Sequence, residues 1–333
     1  MLFANISMGL KLDDLPNKRE ELLSVGAEHA RDIHALCDDV AAMVFPSATI
    51  PPTEAAISAV TAKLVALVLD LEYRLQSREP DKADGVPNTW QLLARSGFLR
   101  EPDLIDFALA RVAEDRLESR IPTQTPQLMA KLLNHADANV AAAAQSLLAA
   151  DSLHRRSRGQ SFQALRPELL HQLCWRVVAA VEVGNGQRDR EVIANARALI
   201  ADYDESQTTQ AAAHKLVHLA GEENRAELLD LESAGLHLYV AGLANALQID
   251  HDHILRLMDS HSSTPLAVML RAIGCESEDA MAIIYRFRGF SLTPRDVALF
   301  ELGYATLGQG IAEAEVQSWG YARTQYLAFQ RPA

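Results

Sequence analysis

No disulfide framework can be drawn from this sequence. Its three cysteines, Cys37, Cys174 and Cys275, are odd in number and far apart, which suits a reducing compartment. Aromatic residues make up only 6% of the chain, and strand-like Val/Ile/Thr alternation is almost absent, which disfavours sheet architectures. The most apolar run, Ala59 to Leu69, contains Lys63 and is far shorter than the ~20 residues that a membrane helix needs. The N-terminal MLFANISMGLKLDD has no basic region and no long apolar core, so no signal peptide is expected. Positive charge is also short: 31 Lys and Arg stand against 44 Asp and Glu, a net charge of -13. Phosphate backbones and anionic bilayers both require local positive charge, so neither nucleic acid nor a membrane is expected as a partner. The expected location is cytoplasmic. There is no Gly-x-Ser-x-Gly elbow, no Walker loop and no dinucleotide fingerprint, which favours a binding protein over an enzyme and implies no cofactor.

What the chain does have is alanine and leucine at helical spacing, so an all-α fold is expected. The clearest stretch is Gln127 to Asp151. Leu128, Leu132 and Leu133 share one face, as do Val140, Ala144, Leu147 and Leu148. Asn134 suits the end of the first helix and Asp137 the N-cap of the second. The alanines 141–144 make one side of the second helix thin, which admits a close neighbour. Two short helices around a polar turn have the look of a HEAT-like repeat, or of an ordinary helical hairpin.

The rest divides into three regions. Residues 18–78 read as a long helical hairpin, its second helix carrying Ile57, Val60, Leu64, Leu67 and Leu71 at heptad spacing. Val65 and Val68 widen that stripe beyond what one antiparallel partner covers. The expectation is a homodimer through a seam of Leu64, Val65, Leu67, Val68 and Leu71; the bland alternative packs the surplus face on the chain's own next domain. Residues 79–88 form a linker, residues 88–230 a HEAT-like repeat region, and residues 233–330 a compact C-terminal helical domain. In the second region Pro102-Asp103 starts a helix whose far end, Ala113 to Arg120, reads as charged and solvated. In the third, Leu236 to Leu247 is apolar nearly all round and reads as buried.

Three groups of residues invite a chemical reading. Arg155, Arg156 and Arg158 in the segment 152–159 form the one concentrated basic cluster, either a docking loop for an acidic partner or phosphate, or a solvated loop. His214 and His218 stand four apart on a predicted helix, the spacing of a metal pair, yet Lys215 occupies the place of a zinc peptidase's glutamate. His251, His253 and His261, with Asp250 and Asp252, form the densest His/Asp group; the simpler reading is aspartate caps with solvated imidazoles. No metal is expected at either. His29 falls on an apolar seam and reads as a packed core histidine, and His29 and His34 lack the following acidic residue of a phosphoacceptor. The acidic neighbours of Cys275 disfavour its thiolate.

The segments KLVALVLDLEYRL, WQLLARSGFLREPDLIDFALARVAEDRL, HADANVAAAAQSLLAADSLHRR and ELLHQLCWRVVAAVE resemble the alphaproteobacterial family catalogued as domain of unknown function 2336. The resemblance covers most of the chain after about residue 55. It implies an all-α, repeat-containing bacterial protein and no known substrate or catalytic residue.

The functional expectation is a homodimeric, non-enzymatic scaffold or regulator that presents its helical surface to a protein partner. The alternatives are a small-ligand sensor, with a pocket between the repeat region and the C-terminal unit, and a metal-dependent enzyme built on the histidine groups above.

Overall fold

The structure is a computed structural model that describes residues 20–27, 54–77, 88–121, 126–157, 162–260, 262–289 and 292–330. All regular secondary structure among the described residues is helical. In chain order the α-helices are α1 (residues 20–27), α2 (Glu54–Leu75), α3 (Trp90–Arg95), α4 (Pro102–Glu118), α5 (Gln127–Leu133), α6 (Ala138–Ser157), α7 (Pro167–Asn185) and α8 (Arg190–Ala201). They continue with α9 (Thr209–Ala220), α10 (Arg225–Leu228), α11 (Leu231–Leu247), α12 (His251–Asp259), α13 (Thr264–Ala272), α14 (Ser277–Arg288), α15 (Pro294–Thr306) and α16 (Gln309–Gln330). The chain forms two compact units, a larger one of residues 35–242 and a smaller one in which residues 243–333 join the N-terminal 1–34. The expected hairpin helix beyond residue 27, the turn 46–52, most of the linker, His29, His34, Cys37, Arg158 and His261 lie outside the described residues.

In the larger unit, α2 is the axis of the main core. Val60, Leu64, Leu67, Val68, Leu71 and Leu75 are buried, and α2 packs on α4, α7 and α8. These positions include those expected at a dimer seam. Leu64, Leu67, Val68 and Leu71 are enclosed by the chain itself, and Val65 is half-buried. A fully buried Leu or Val gains roughly 1.5–3 kcal/mol over an exposed one, so this face contributes to the core of the unit itself. The surplus width of the stripe reflects three helical neighbours rather than one. The hairpin 18–78 is not a separate body among the described residues: α1 belongs to the smaller unit and α2 to the larger.

The rest of the larger unit follows its caps. Asp137 accepts from the Asn139 N–H at 2.8 Å and opens α6, and Asn134 closes α5. Asp189 and Thr208 cap α8 and α9 in the same manner. The thin face of α6 is used: α6 packs along α9, and adjacent alanines are buried on both helices, Ala143 and Ala144 on one, Ala212 and Ala213 on the other. Two readings of charge need correction. Ala113, Glu114 and Leu117 are buried while Arg116, Ser119 and Arg120 are exposed, so the far end of α4 is solvated on one side only. The segment 152–157 is helical, so Arg155 lies on the last turns of α6 rather than in a loop.

In the smaller unit, α13 is buried along nearly its whole length and packs on α16. Gly26 lies so close to α13 that an added Cβ would fall 3.2 Å from Val268. Asp250 caps α12 through the N–H groups of Asp252 and His253.

Candidate functional site

The site assembles from three helices of the larger unit. On α4, Arg111, Glu114 and Glu118 follow each other at spacings of three and four, which puts them on one face. On α6, Asp151 and His154 lie three apart near the C-terminal end. The third contribution is His237, placed by a break in α11. Gly235 adopts φ 72°, ψ 170°, so the chain turns sharply between the residues before it and the helix after it. Only glycine fits there: the conformation is left-handed in φ, and an added Cβ would stand 2.5 Å from Cγ of Pro126. His237, two residues on, is carried into the cluster by the first turn after the break.

His237 is 9% exposed and is met by carboxylates on both ring nitrogens. Its Nε2 lies 3.0 Å from Glu118 Oε1 and 3.3 Å from Asp151 Oδ1. Its Nδ1 lies 3.5 Å from Glu114 Oε1. Glu114 is itself 1% exposed, and its other oxygen pairs with Arg111 Nη1 at 2.9 Å. Asp151 also pairs with Arg155 at 3.0 Å. The His154 ring meets the His237 ring edge-on with centroids 5.7 Å apart, and its Nε2 is 3.8 Å from both Glu114 and Glu118.

The electrostatics follow from this crowding. Burial pushes His237 toward the neutral form, but the hydrogen bonds to Asp151 and Glu118 and the charge of Glu114 outweigh it, raising its pKa from 6.5 to about 10. Each imidazolium–carboxylate contact at this range is worth about 5 kcal/mol at an effective dielectric constant of 20, and three of them exceed a desolvation cost of several kcal/mol. The carboxyl of Asp151 moves the other way: burial would raise its pKa, yet His237 and Arg155 hold it below the ordinary value.

Part of the cluster borders a cavity of about 500 Å³. Ile121, Pro126, Met129, Leu147, Leu148 and Leu236 give it apolar walls, while Glu118, Asp151, His154 and His237 line its polar end. Glu118, Asp151 and His237 can each turn one ligand atom to a common point, all within 4.8 Å of one another, and they are the only such group of three among the described residues.

The residues singled out in the sequence fare differently. His214 is half-buried and His218 exposed on α9, and neither joins a ligand-competent group among the described residues. His251 and His253 are buried rather than solvated, and His253 Nδ1 faces the buried Arg256 guanidinium at 3.3 Å. Arg155 is half-exposed and tied to Asp151, so it borders the cavity. Cys174 is buried and its thiol is pushed up to about 12 by desolvation. Glu114, Glu118, Asp151, His154 and His237 were not singled out in the sequence. The available signal was His237, the one residue in the apolar run 236–247 that can carry a positive charge, which burial obliges to find a partner.

No protein-family model, no curated protein and no solved structure matches the chain. The resemblance to the domain of unknown function 2336 family therefore rests on the segments quoted above.

Proposed function

We propose that this protein is a small-ligand sensor whose binding site is the cavity bounded by α4, α5, α6 and the start of α11. The observation that carries the reading is the cavity itself. Its volume of about 500 Å³ falls in the range of roughly 300–1,000 Å³ typical of small-molecule sites, and apolar walls with a few convergent polar groups are their usual chemistry. Relative to the sequence expectation, the site lies inside the larger unit, with residues 234–238 as one wall. HEAT-like stacking of the region 88–230 is proposed alongside it, supported by the α5–α6 hairpin and by the packing of α6 along α9 and of α7 on α8.

The test uses the neutral dye N-phenyl-1-naphthylamine with the full-length chain. Saturable fluorescence enhancement is expected, and Met129→Trp, which fills the cavity from its α5 wall, should abolish it. No enhancement in the wild type, or undiminished enhancement in Met129→Trp, would overturn the reading.

A further inference from the structure

We propose that Glu118, Asp151 and His237 are the protein ligands of a divalent first-row transition-metal ion, with Zn²⁺ the favoured one, held at the polar end of the cavity. The inference rests on the ligand-pocket reading only for the open side of the ion, which the cavity would supply.

The first argument is geometric. Metal–oxygen and metal–nitrogen bonds to zinc are about 2.0–2.2 Å, so neighbouring ligand atoms sit about 2.8–3.1 Å apart in octahedral and about 3.3–3.6 Å apart in tetrahedral coordination. The Nε2 of His237 is already 3.0 Å from Glu118 Oε1 and 3.3 Å from Asp151 Oδ1. These two separations have the length of polyhedron edges, the two carboxylates lie within 4.8 Å of each other, and an ion would take the place now held by the Nε2 proton.

The second argument is the arrangement behind His237. A metal-bound histidine usually gives its other ring N–H to a carboxylate, which fixes the tautomer and aims the free nitrogen at the metal. Glu114 faces Nδ1 at 3.5 Å and is itself anchored by Arg111 at 2.9 Å. Nδ1 therefore has its partner on one side, and Nε2 is aimed at the two remaining carboxylates on the other. Glu114 is a positioning residue, not a ligand.

The donor set selects the ion. One imidazole with two carboxylates suits Zn²⁺, Fe²⁺ or Mn²⁺, and zinc binds tightest of these three. Calcium requires six to eight oxygen ligands and is poorly served by a nitrogen donor. Two carboxylates with a neutral imidazole also balance a divalent charge. Three protein ligands facing a cavity leave room for water or for a donor atom of a small ligand, the arrangement of an open zinc site.

The test uses the untagged full-length chain, stripped with a chelator and titrated by calorimetry with Zn²⁺ and separately with Ca²⁺. One equivalent of Zn²⁺ and no Ca²⁺ at the same concentrations is the expected result. Asp151→Asn should lower zinc affinity at least 100-fold, with far-UV circular dichroism unchanged, and His218→Ala on exposed α9 should have no effect. X-ray absorption at the zinc edge of the wild type should show one imidazole, oxygen donors and no sulfur. Glu114→Gln, made together with Arg111→Met to remove the buried cation, should keep that coordination but weaken zinc by about 10–100-fold. No zinc binding, equal affinity for calcium, undiminished binding in Asp151→Asn, or sulfur or several imidazoles at the edge would each overturn the proposal. Dye binding without zinc binding would sink the metal site alone, and zinc binding without dye binding would sink the ligand pocket alone.

Discussion

The carboxylate of Glu114 stands between two cations: Arg111 at 2.9 Å on one oxygen and the His237 ring at 3.5 Å on the other. Both charged partners are nearly sealed from water, so the pair cannot fall back on solvent when one member is removed. Glu114→Gln is expected to cost roughly 3–5 kcal/mol, because it removes a carboxylate that faces a buried guanidinium. Adding Arg111→Met should recover most of that loss. Urea denaturation of the two single variants and the double variant measures it, and additive losses would show that the two side chains are uncoupled.

The imidazole gives a signed pH dependence in the metal-free chain. Groups facing His237 are Glu114 and Glu118 from α4 and Asp151 from α6, with His154, Arg111 and Arg155 beyond them. Its folded pKa of about 10 lies above the ordinary 6.5. The stabilisation is therefore complete below about pH 6.5 and is lost as pH rises toward 10. His237→Gln should flatten the stability profile across that window. A wild-type midpoint that stays constant from pH 6.5 to 10 contradicts the assignment.

Gly235 can be tested by its smallest replacement. Gly235→Ala places a side chain at φ 72° and drives its Cβ into Pro126. This positive-φ, extended-ψ conformation, essentially confined to glycine, costs about 1–3 kcal/mol and overpacking about 1–3 kcal/mol. A lowered denaturation midpoint is expected, with weaker dye binding because the turn bearing His237 shifts. A variant of wild-type stability would mean that the break relaxes freely.

The two kinds of position on α2 should separate cleanly. Leu64→Ala, at a fully buried site, should cost about 2–5 kcal/mol. Val65 is half-buried, and Val65→Ala should cost markedly less in the same denaturation series. Equal costs would argue that Val65 is covered by something further.

Cys174 should be inert. Its thiol lies in the α2–α4–α7 core, with burial pushing its pKa to about 12. An aromatic disulfide reagent at pH 8 should leave it unmodified in the native chain and label it fully in urea, as peptide mapping will show. Rapid native labelling would refute the packing described.

The helical skeleton was legible because its signals are local. Asp137, Asp189 and Gly186 stop or start helices through contacts with residues a few positions away. The site was not legible because its signals are not local. Glu114 and Glu118 sit in the run AEDRLESR, which matches a solvated face, and nothing nearby says that Ala113, Glu114 and Leu117 are covered by other helices. His154 lay inside a basic cluster that drew attention to its arginines. The apolar stripe of α2 is wider than one partner covers, but spacing alone cannot tell a second copy from α4, α7 and α8 of the same chain, on which α2 packs.

The division of the chain after Gly242 has a practical bearing on protein production. A fragment ended at residue 230, where composition suggests a domain border, would carry Glu118 and Asp151 without His237 and would lose a wall of the cavity. Such a fragment would leave two acids with no imidazole between them, so its failure to bind anything would say nothing about the intact protein. Expression boundaries for the larger unit belong beyond residue 242, past the helix that delivers the third functional side chain.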